Sequence, residues 1–400
     1  MPERPLILVV QVFLFQGCIF MQQTVEVGIL VSTEGTYRRM GASSLAGLRH
    51  AITEINSDTS RRFRIEHQHY DPAGRLEGYA RGITQLIDGG ARHIFGTTTS
   101  ASRKEIIPDL ERTQSLLWYA CPYEGFECSE NVLYLGGCPN QNLIPLLGYA
   151  LGEFGANAHL VGSNYVWGWE SNRIARELIE ISEGQVLEEK YFRFGCTDFG
   201  PLIANILKSE TAFVLNNLVG ESSYHFLRQL SDACARKGNR IPVLSCNFTE
   251  AELPCIRGAD QIQLLSCGAF FEAVDPAFVA TQRQRHEDLP FSHYYACAYT
   301  AMHLYAQACE RLGSDDPNEI CALLSQGEHE TVLGRLSLSA HNNHFSLPSF
   351  IAAAKKDGFE ILQQVGTSLA ADPYLVKTDL REFRQPATQK MTAINLRIVK

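Results

Sequence analysis

The twelve cysteines of this 400-residue sequence include no Cys-x-x-Cys pair, which removes the zinc-ribbon and thioredoxin-type patterns. There is no excess of positive charge either. The net charge is −9, so the basic footprint of a nucleic-acid binder is missing. The apolar run Leu6–Phe15, broken at Gln11, is too short to cross a bilayer. No internal repeat, heptad or low-complexity tract stands out. Residues 1–21 read as an N-terminal extension or a weak signal-like segment. Glu3 offsets Arg4, no small-residue cleavage site follows, and bulky Phe15 and Gln16 precede Gly17-Cys18. Unpatterned thiols, several of them (Cys234, Cys297, Cys309) within helix-like apolar runs, pack as small hydrophobes and point to a reducing compartment. The expected location is therefore cytoplasmic, with a periplasmic one following if residues 1–20 act as a signal.

What is present is an ordered alternation of strand and helix signals. In residues 91–140 the apolar runs Ile94–Gly96, Leu116–Tyr119 and Val132–Leu135 are separated by a helical stretch and polar turns, the grammar of a parallel sheet with covering helices. Ligands of such sheets collect at the carboxyl ends of the strands. Thr97-Thr98-Thr99-Ser100 leaves one strand there and Ala120-Cys121-Pro122-Tyr123 leaves the next. A helix cap and a proline turn would account for the same residues without a ligand.

The pattern continues with strands at Val25–Val31, Phe63–Tyr70, His159–Tyr165, Val186–Phe194, Ala212–Leu218, Ile241–Ser245 and Leu264–Phe271. Helices are expected over Gly41–Asn56, Gly78–Gly89, Asn140–Phe154, Glu170–Ser182, Phe199–Lys208, Ser292–Leu312 and Asn318–Ser325. Such an order predicts an α/β protein of two doubly wound parallel-sheet lobes with a ligand cleft between them. Residues 22–139 plus 268–340 would form lobe I, 140–267 plus 341–376 lobe II, and 377–400 a basic tail. Closure about the hinge would enclose a ligand. His67 and His69 share one face of a strand, but no third ligand is suggested, and half-buried strand histidines are the commoner case. No metal or cofactor is implied.

The motifs Ser100-Ala101-Ser102-Arg103-Lys104, Leu117-Trp118-Tyr119, Pro122-Tyr123-Glu124-Gly125-Phe126-Glu127, Pro139-Asn140-Gln141-Asn142, Glu170-Ser171-Asn172 and Asn342-Asn343-His344 run in order along the chain. Together they resemble the type I periplasmic-binding-protein family of the Leu/Ile/Val-binding class, and within it the amide- and urea-binding branch. The resemblance implies ligand contacts from Thr98, Ser100, Tyr119, Cys121, Pro122, Tyr165, Trp167 and Asn217. Against the amide-sensor pattern, Thr98 and Trp167 stand in place of tyrosines, and Cys121 and Asn217 in place of threonines. Two roles are implied. One is a ligand-sensing negative regulator of amidase expression that holds an RNA-binding antitermination partner inactive. The other is the substrate-binding component of an ABC transporter, delivering urea, short-chain amides or branched-chain amino acids to a permease. A homo-oligomer stays open, and direct nucleic-acid binding is not expected.

The chemistry of these residues suits a small neutral amide or urea. Ser100 would donate to the carbonyl, the Pro122 carbonyl and Tyr165 hydroxyl would accept from the NH2, and Tyr119 and Trp167 would wall the site. No Lys, Arg or Asp lies at these strand ends, and the resemblance implies that Glu124 points away. An amino-acid zwitterion would need charged partners there. Catalysis with Cys121 as nucleophile and Glu124 or Glu127 as base is the lesser alternative, because no activating His is near in sequence.

Overall fold

The computed structural model describes residues 22–286 and 291–383. The expected segment 1–21 and most of the expected basic tail, 384–400, lie outside them. The chain opens with β1 (Gln23–Leu30), α1 (Arg38–Ser57), β2 (Phe63–Tyr70), α2 (Leu76–Asp88), β3 (His93–Gly96), α3 (Ser100–Thr113), β4 (Leu116–Tyr119) and β5 (Val132–Tyr134). These strands form an all-parallel sheet in the order β2-β1-β3-β4-β5. After a short turn at Pro139–Gln141 come α4 (Leu143–Phe154), β6 (Asn157–Ser163), α5 (Val166–Ile181), β7 (Gln185–Phe192) and α6 (Gly200–Ile206). Then β8 (Phe213–Asn217), α7 (Glu221–Lys237), β9 (Ile241–Leu244) and β10 (Ile262–Gly268) follow.

The chain returns to the first sheet through α8 (Pro276–Arg285), α9 (His293–Leu312), α10 (Pro317–Leu324) and the hairpin β11 (His329–Thr331)–β12 (Gly334–Leu336). Then come β13 (Leu347–Lys355) and β14 (Gly358–Leu369). These last two join the second sheet, whose order is β14-β13-β10-β9-β8-β6-β7. That sheet is parallel except that β13 runs antiparallel to both β10 and β14. The sequence pattern carries no strand expectation for this hairpin, which lies in the stretch 341–376 assigned to lobe II. The fold is thus a two-lobed α/β architecture with parallel sheets.

Each sheet is buried on both faces. In the first, α1 and α9 cover one side through a stripe including Leu45, Leu48, Ile52, Ile55, Ala298, Ala301, Met302 and Tyr305. On the other side α2 and α3 pack Ile83, Leu86, Ile106 and Leu110 against Leu117 and Tyr119. The second sheet is likewise sandwiched between α4–α5 and α6–α7. The α1–α9 contact is close because Gly47 faces the α9 backbone: a Cβ there would lie 2.4 Å from the Tyr295 carbonyl oxygen. Among the described residues no helix is long and apolar enough to cross a membrane.

Candidate ligand site between the lobes

The loops that leave the carboxyl ends of β1, β3 and β4 meet those that leave β6, β8 and β9. Helix α3 starts from an N-cap at Thr99, whose hydroxyl accepts from the Ser102 amide while the Ser102 hydroxyl accepts from the Thr99 amide. That cap fixes Ser100 in the first turn, facing the cleft. Helix α5 begins at Val166 with Tyr165 as an uncapped, extended N-cap residue, four residues earlier than the sequence pattern indicated. Trp167 therefore sits in a helical first turn rather than in a loop.

A small cavity, about 20 Å³, lies where these elements meet, room on the order of one water-sized group. Of the expected residues, Thr98, Ser100, Cys121, Pro122, Tyr165 and Trp167 line it. Tyr119 and Asn217 do not. Tyr119 is wholly buried behind the wall, its hydroxyl donating to the Thr98 carbonyl at 3.3 Å. Asn217 donates to Asn172 Oδ1 at 2.8 Å, and its own Oδ1 is buried without a hydrogen-bond partner among the described residues. Of the rest of the lining, Thr99 belongs to the Thr97–Ser100 stretch placed at a strand end, whereas Tyr37, Met40, Val219, Asn247 and Tyr294 were missed. Tyr37 lies shortly after the expected strand Val25–Val31. Tyr294 lies within the long apolar helix and Asn247 beyond the end of β9, where no local signal separates them from core and turn residues.

The lobes touch across this cavity. The Tyr37 hydroxyl donates to the Tyr165 hydroxyl at 2.7 Å, and the Tyr294 hydroxyl donates to the Asn247 carbonyl at 3.2 Å. Gly220, with a positive φ of 55°, lets the loop after β8 approach lobe I: a Cβ there would lie 2.3 Å from the Thr36 carbonyl oxygen. At the rim Arg38 pairs with Glu221 at 2.6 Å.

Charge is present, but one layer behind the wall. One expectation is corrected here, that of Glu124, which the resemblance turned away from the site. Arg103 stands one turn into α3 and is fully buried, and Glu124 points inward rather than away. The Ser100 hydroxyl donates to Glu124 Oε2, while Arg103 and Lys104 lie 3.8 and 4.0 Å from Glu124 Oε1. Arg103 and Lys104 each reach Glu127 at 2.5 Å, and the Tyr134 hydroxyl donates to it at 3.0 Å. Burial alone would raise the Glu127 carboxyl, yet the two cations hold it at about 2. The Arg103 guanidinium stacks over Tyr119 and Tyr123, 4.5 and 4.6 Å from their ring centres.

Burial pushes the Cys121 thiol up to about 12, despite nearby Arg103, and its Sγ points at the Thr97 carbonyl at 3.5 Å. That is the environment of a packing thiol rather than of an activated nucleophile. On β2, the His69 Nε2 lies 3.2 Å from the Val31 carbonyl oxygen, and among the described residues no His/Cys/Asp/Glu group could hold a metal ion.

Residues 25–380 match the periplasmic binding protein domain. The chain belongs to that family. A solute-binding protein of an ABC transporter from Rhodopseudomonas palustris, solved with p-hydroxybenzoic acid, superposes with a TM-score of 0.78 at 18% identity, covering 89% of this chain and 100% of the other. The isoleucine complex of the branched-chain amino acid transporter substrate-binding protein LivJ from Streptococcus pneumoniae gives 0.75 at 17% identity over 85% and 98%. The leucine-binding protein LivK of Thermotoga maritima gives 0.73 at 16% identity over 85% and 98%. At these identities the likeness is one of fold, that of a type I periplasmic binding protein.

Membership corrects the expected location. A periplasmic binding protein domain over most of the chain points to an extracytoplasmic place, not a cytoplasmic one. The thiol argument failed for a physical reason. Cys121, Cys138, Cys234, Cys246, Cys267, Cys297 and Cys309 are all buried, so they report packing rather than redox compartment.

Proposed function

We propose that this chain is the solute-binding component of an ABC importer and that its cleft takes a small uncharged solute bearing a carboxamide or urea group. One observation carries the reading: every side chain lining the interlobe cavity is uncharged, and several carry hydroxyl, amide or indole groups. A zwitterionic amino acid brings two charges into a site that offers neither counter-charge at its surface, and desolvating them without partners is costly. The small cavity favours a ligand of few heavy atoms. The transporter role is supported by the solute-binding proteins of the same fold.

The finer reading as an amide-responsive regulator of amidase expression, acting on an RNA-binding antitermination partner, draws on the same uncharged cleft. It has the resemblance of Ser100, Tyr119, Pro122 and Tyr165 behind it, but an RNA-binding partner requires a cytoplasmic chain, against the location to which the family points, and so it ranks second. Titration calorimetry of the full chain against acetamide, butyramide, urea, leucine and 4-hydroxybenzoate tests the ligand class. Heat from an amide or urea with leucine and the benzoate silent is the expected result. Binding of leucine or of 4-hydroxybenzoate alone would refute the neutral-solute reading.

A further inference from the structure

We infer that Glu124, acting through Ser100, sets the hydrogen-bond polarity of the cleft and thereby selects solutes that present an N–H donor to lobe I and an acceptor to lobe II. The favoured class is a primary carboxamide or urea, over the carboxylate of the same shape. This rests on the uncharged-cleft reading above and adds the direction in which the solute lies.

A serine hydroxyl has one proton and two lone pairs. In Ser100 the proton is committed: Oγ donates to Glu124 Oε2. Glu124 is itself buried, with Arg103 and Lys104 lying 3.8 and 4.0 Å from its other carboxyl oxygen. Toward the cavity Ser100 therefore offers lone pairs only. This reverses the donor role that the sequence assigned to it.

The opposite wall offers donors. The Trp167 indole Nε1 is buried and has no hydrogen-bond partner among the described residues, and an indole nitrogen can only donate. Tyr165 accepts the Tyr37 hydroxyl proton at 2.7 Å, which leaves its own proton free to point elsewhere. An acceptor faces donors across a cavity of about 20 Å³. In a cleft opened slightly beyond this one-water space, a primary carboxamide satisfies both walls at once, with NH2 toward Ser100 and carbonyl toward Trp167 and Tyr165. A carboxylate cannot. It has no proton for Ser100, and its oxygen would face serine lone pairs with the Glu124 charge directly behind them. That repulsive arrangement is what makes the site discriminate between isosteres, since a lone serine free to rotate would accept either ligand. Glu124 does not line the cavity, so it is a positioning residue.

The test compares butyramide with butyrate on the full chain by calorimetry. Wild type is expected to prefer the amide by about 100-fold or more, in line with a site whose buried polar groups a wrong isostere leaves unpaired. Glu124→Gln gives Ser100 a neutral partner that can itself donate, which releases the serine proton. The amide-to-acid ratio should then fall by about tenfold or more. Ser100→Ala guards against a misfolded Glu124→Gln protein. It should lose about tenfold in amide affinity while butyrate affinity does not fall, because Ser100 offers an acid only repelling lone pairs. A folded Glu124→Gln that keeps the wild-type ratio would overturn the polarity argument and leave the neutral cleft standing. Ser100→Ala weakening both ligands alike would do the same. Wild type that binds butyrate and ignores butyramide and urea would overturn both.

Discussion

Glu127 shows how much of this site is settled by single side chains. Its carboxylate is shared by Arg103 and Lys104, each at 2.5 Å, and is held at about 2 against an ordinary 4.5 although burial pulls the other way. A folded-state pKa below the unfolded one stabilises the protein above about pH 4.5. That contribution is lost as pH falls toward 2, and it amounts to about 3 kcal/mol at most. Glu127→Gln should therefore lower stability at pH 7, with the gap to wild type closing between pH 4.5 and 2. Urea unfolding at a series of pH values checks this, and a gap that stays constant would exclude the linkage. The thiols give a second expectation. Exposed Cys128 should react with iodoacetamide in the native protein, whereas Cys121, buried and with its thiol pushed up to about 12, should react only on unfolding. Peptide mass spectrometry reads both, and native labelling of Cys121 would contradict its placement. From the sequence alone, Glu124, Glu127 and Arg103 were visible as motif residues, but their contacts were not. Whether Arg103 turns back beneath Tyr119 depends on the phase of α3 and on where β4 delivers the Tyr123–Glu127 loop, neither of which is local information.

At the scale of elements, the α1–α9 pair is where lobe I is most sensitive. Gly47→Ala would place a methyl 2.4 Å from the backbone oxygen of Tyr295, and the two helices would have to part. A loss of about 1–3 kcal/mol is expected from overpacking of this kind. Guanidinium unfolding would measure it, and an unchanged midpoint would mean that the helices separate without cost. Elements whose signals are local were readable. Strand β2 is Phe63–Tyr70 and β4 is Leu116–Tyr119, as alternation and apolar runs indicated. Two kinds of element were not. The start of α5 was placed too late because Tyr165 makes no side-chain cap, so Tyr165–Trp169 carried no polar start signal. The β13–β14 hairpin has no local strand signal, because its place is fixed by antiparallel pairing with β10, far away in sequence.

For the whole molecule, the relevant quantity is the balance between open and closed lobes. The lobes meet in this structure through Tyr37–Tyr165, Tyr294–Asn247 and the Arg38–Glu221 pair. The last is about half exposed on both sides, and such pairs contribute little. Tyr37–Tyr165 sits instead at the cavity itself, where water is scarce and the bond is worth about 0.5–1.5 kcal/mol to the closed form. A solute that binds only the closed form shifts the population by its own differential affinity. Removing the clasp therefore weakens binding by raising the cost of closure. Tyr37→Phe keeps the ring and deletes the donor. Its affinity for the solute should fall by up to about tenfold, and small-angle scattering should show a larger radius of gyration than wild type without solute. At saturation the two proteins should coincide. Arg38→Gln, as the rim control, should change neither quantity appreciably. Weaker binding by Tyr37→Phe with an unaltered solute-free radius would mean that Tyr37 contacts the solute without governing closure, and the clasp would be set aside.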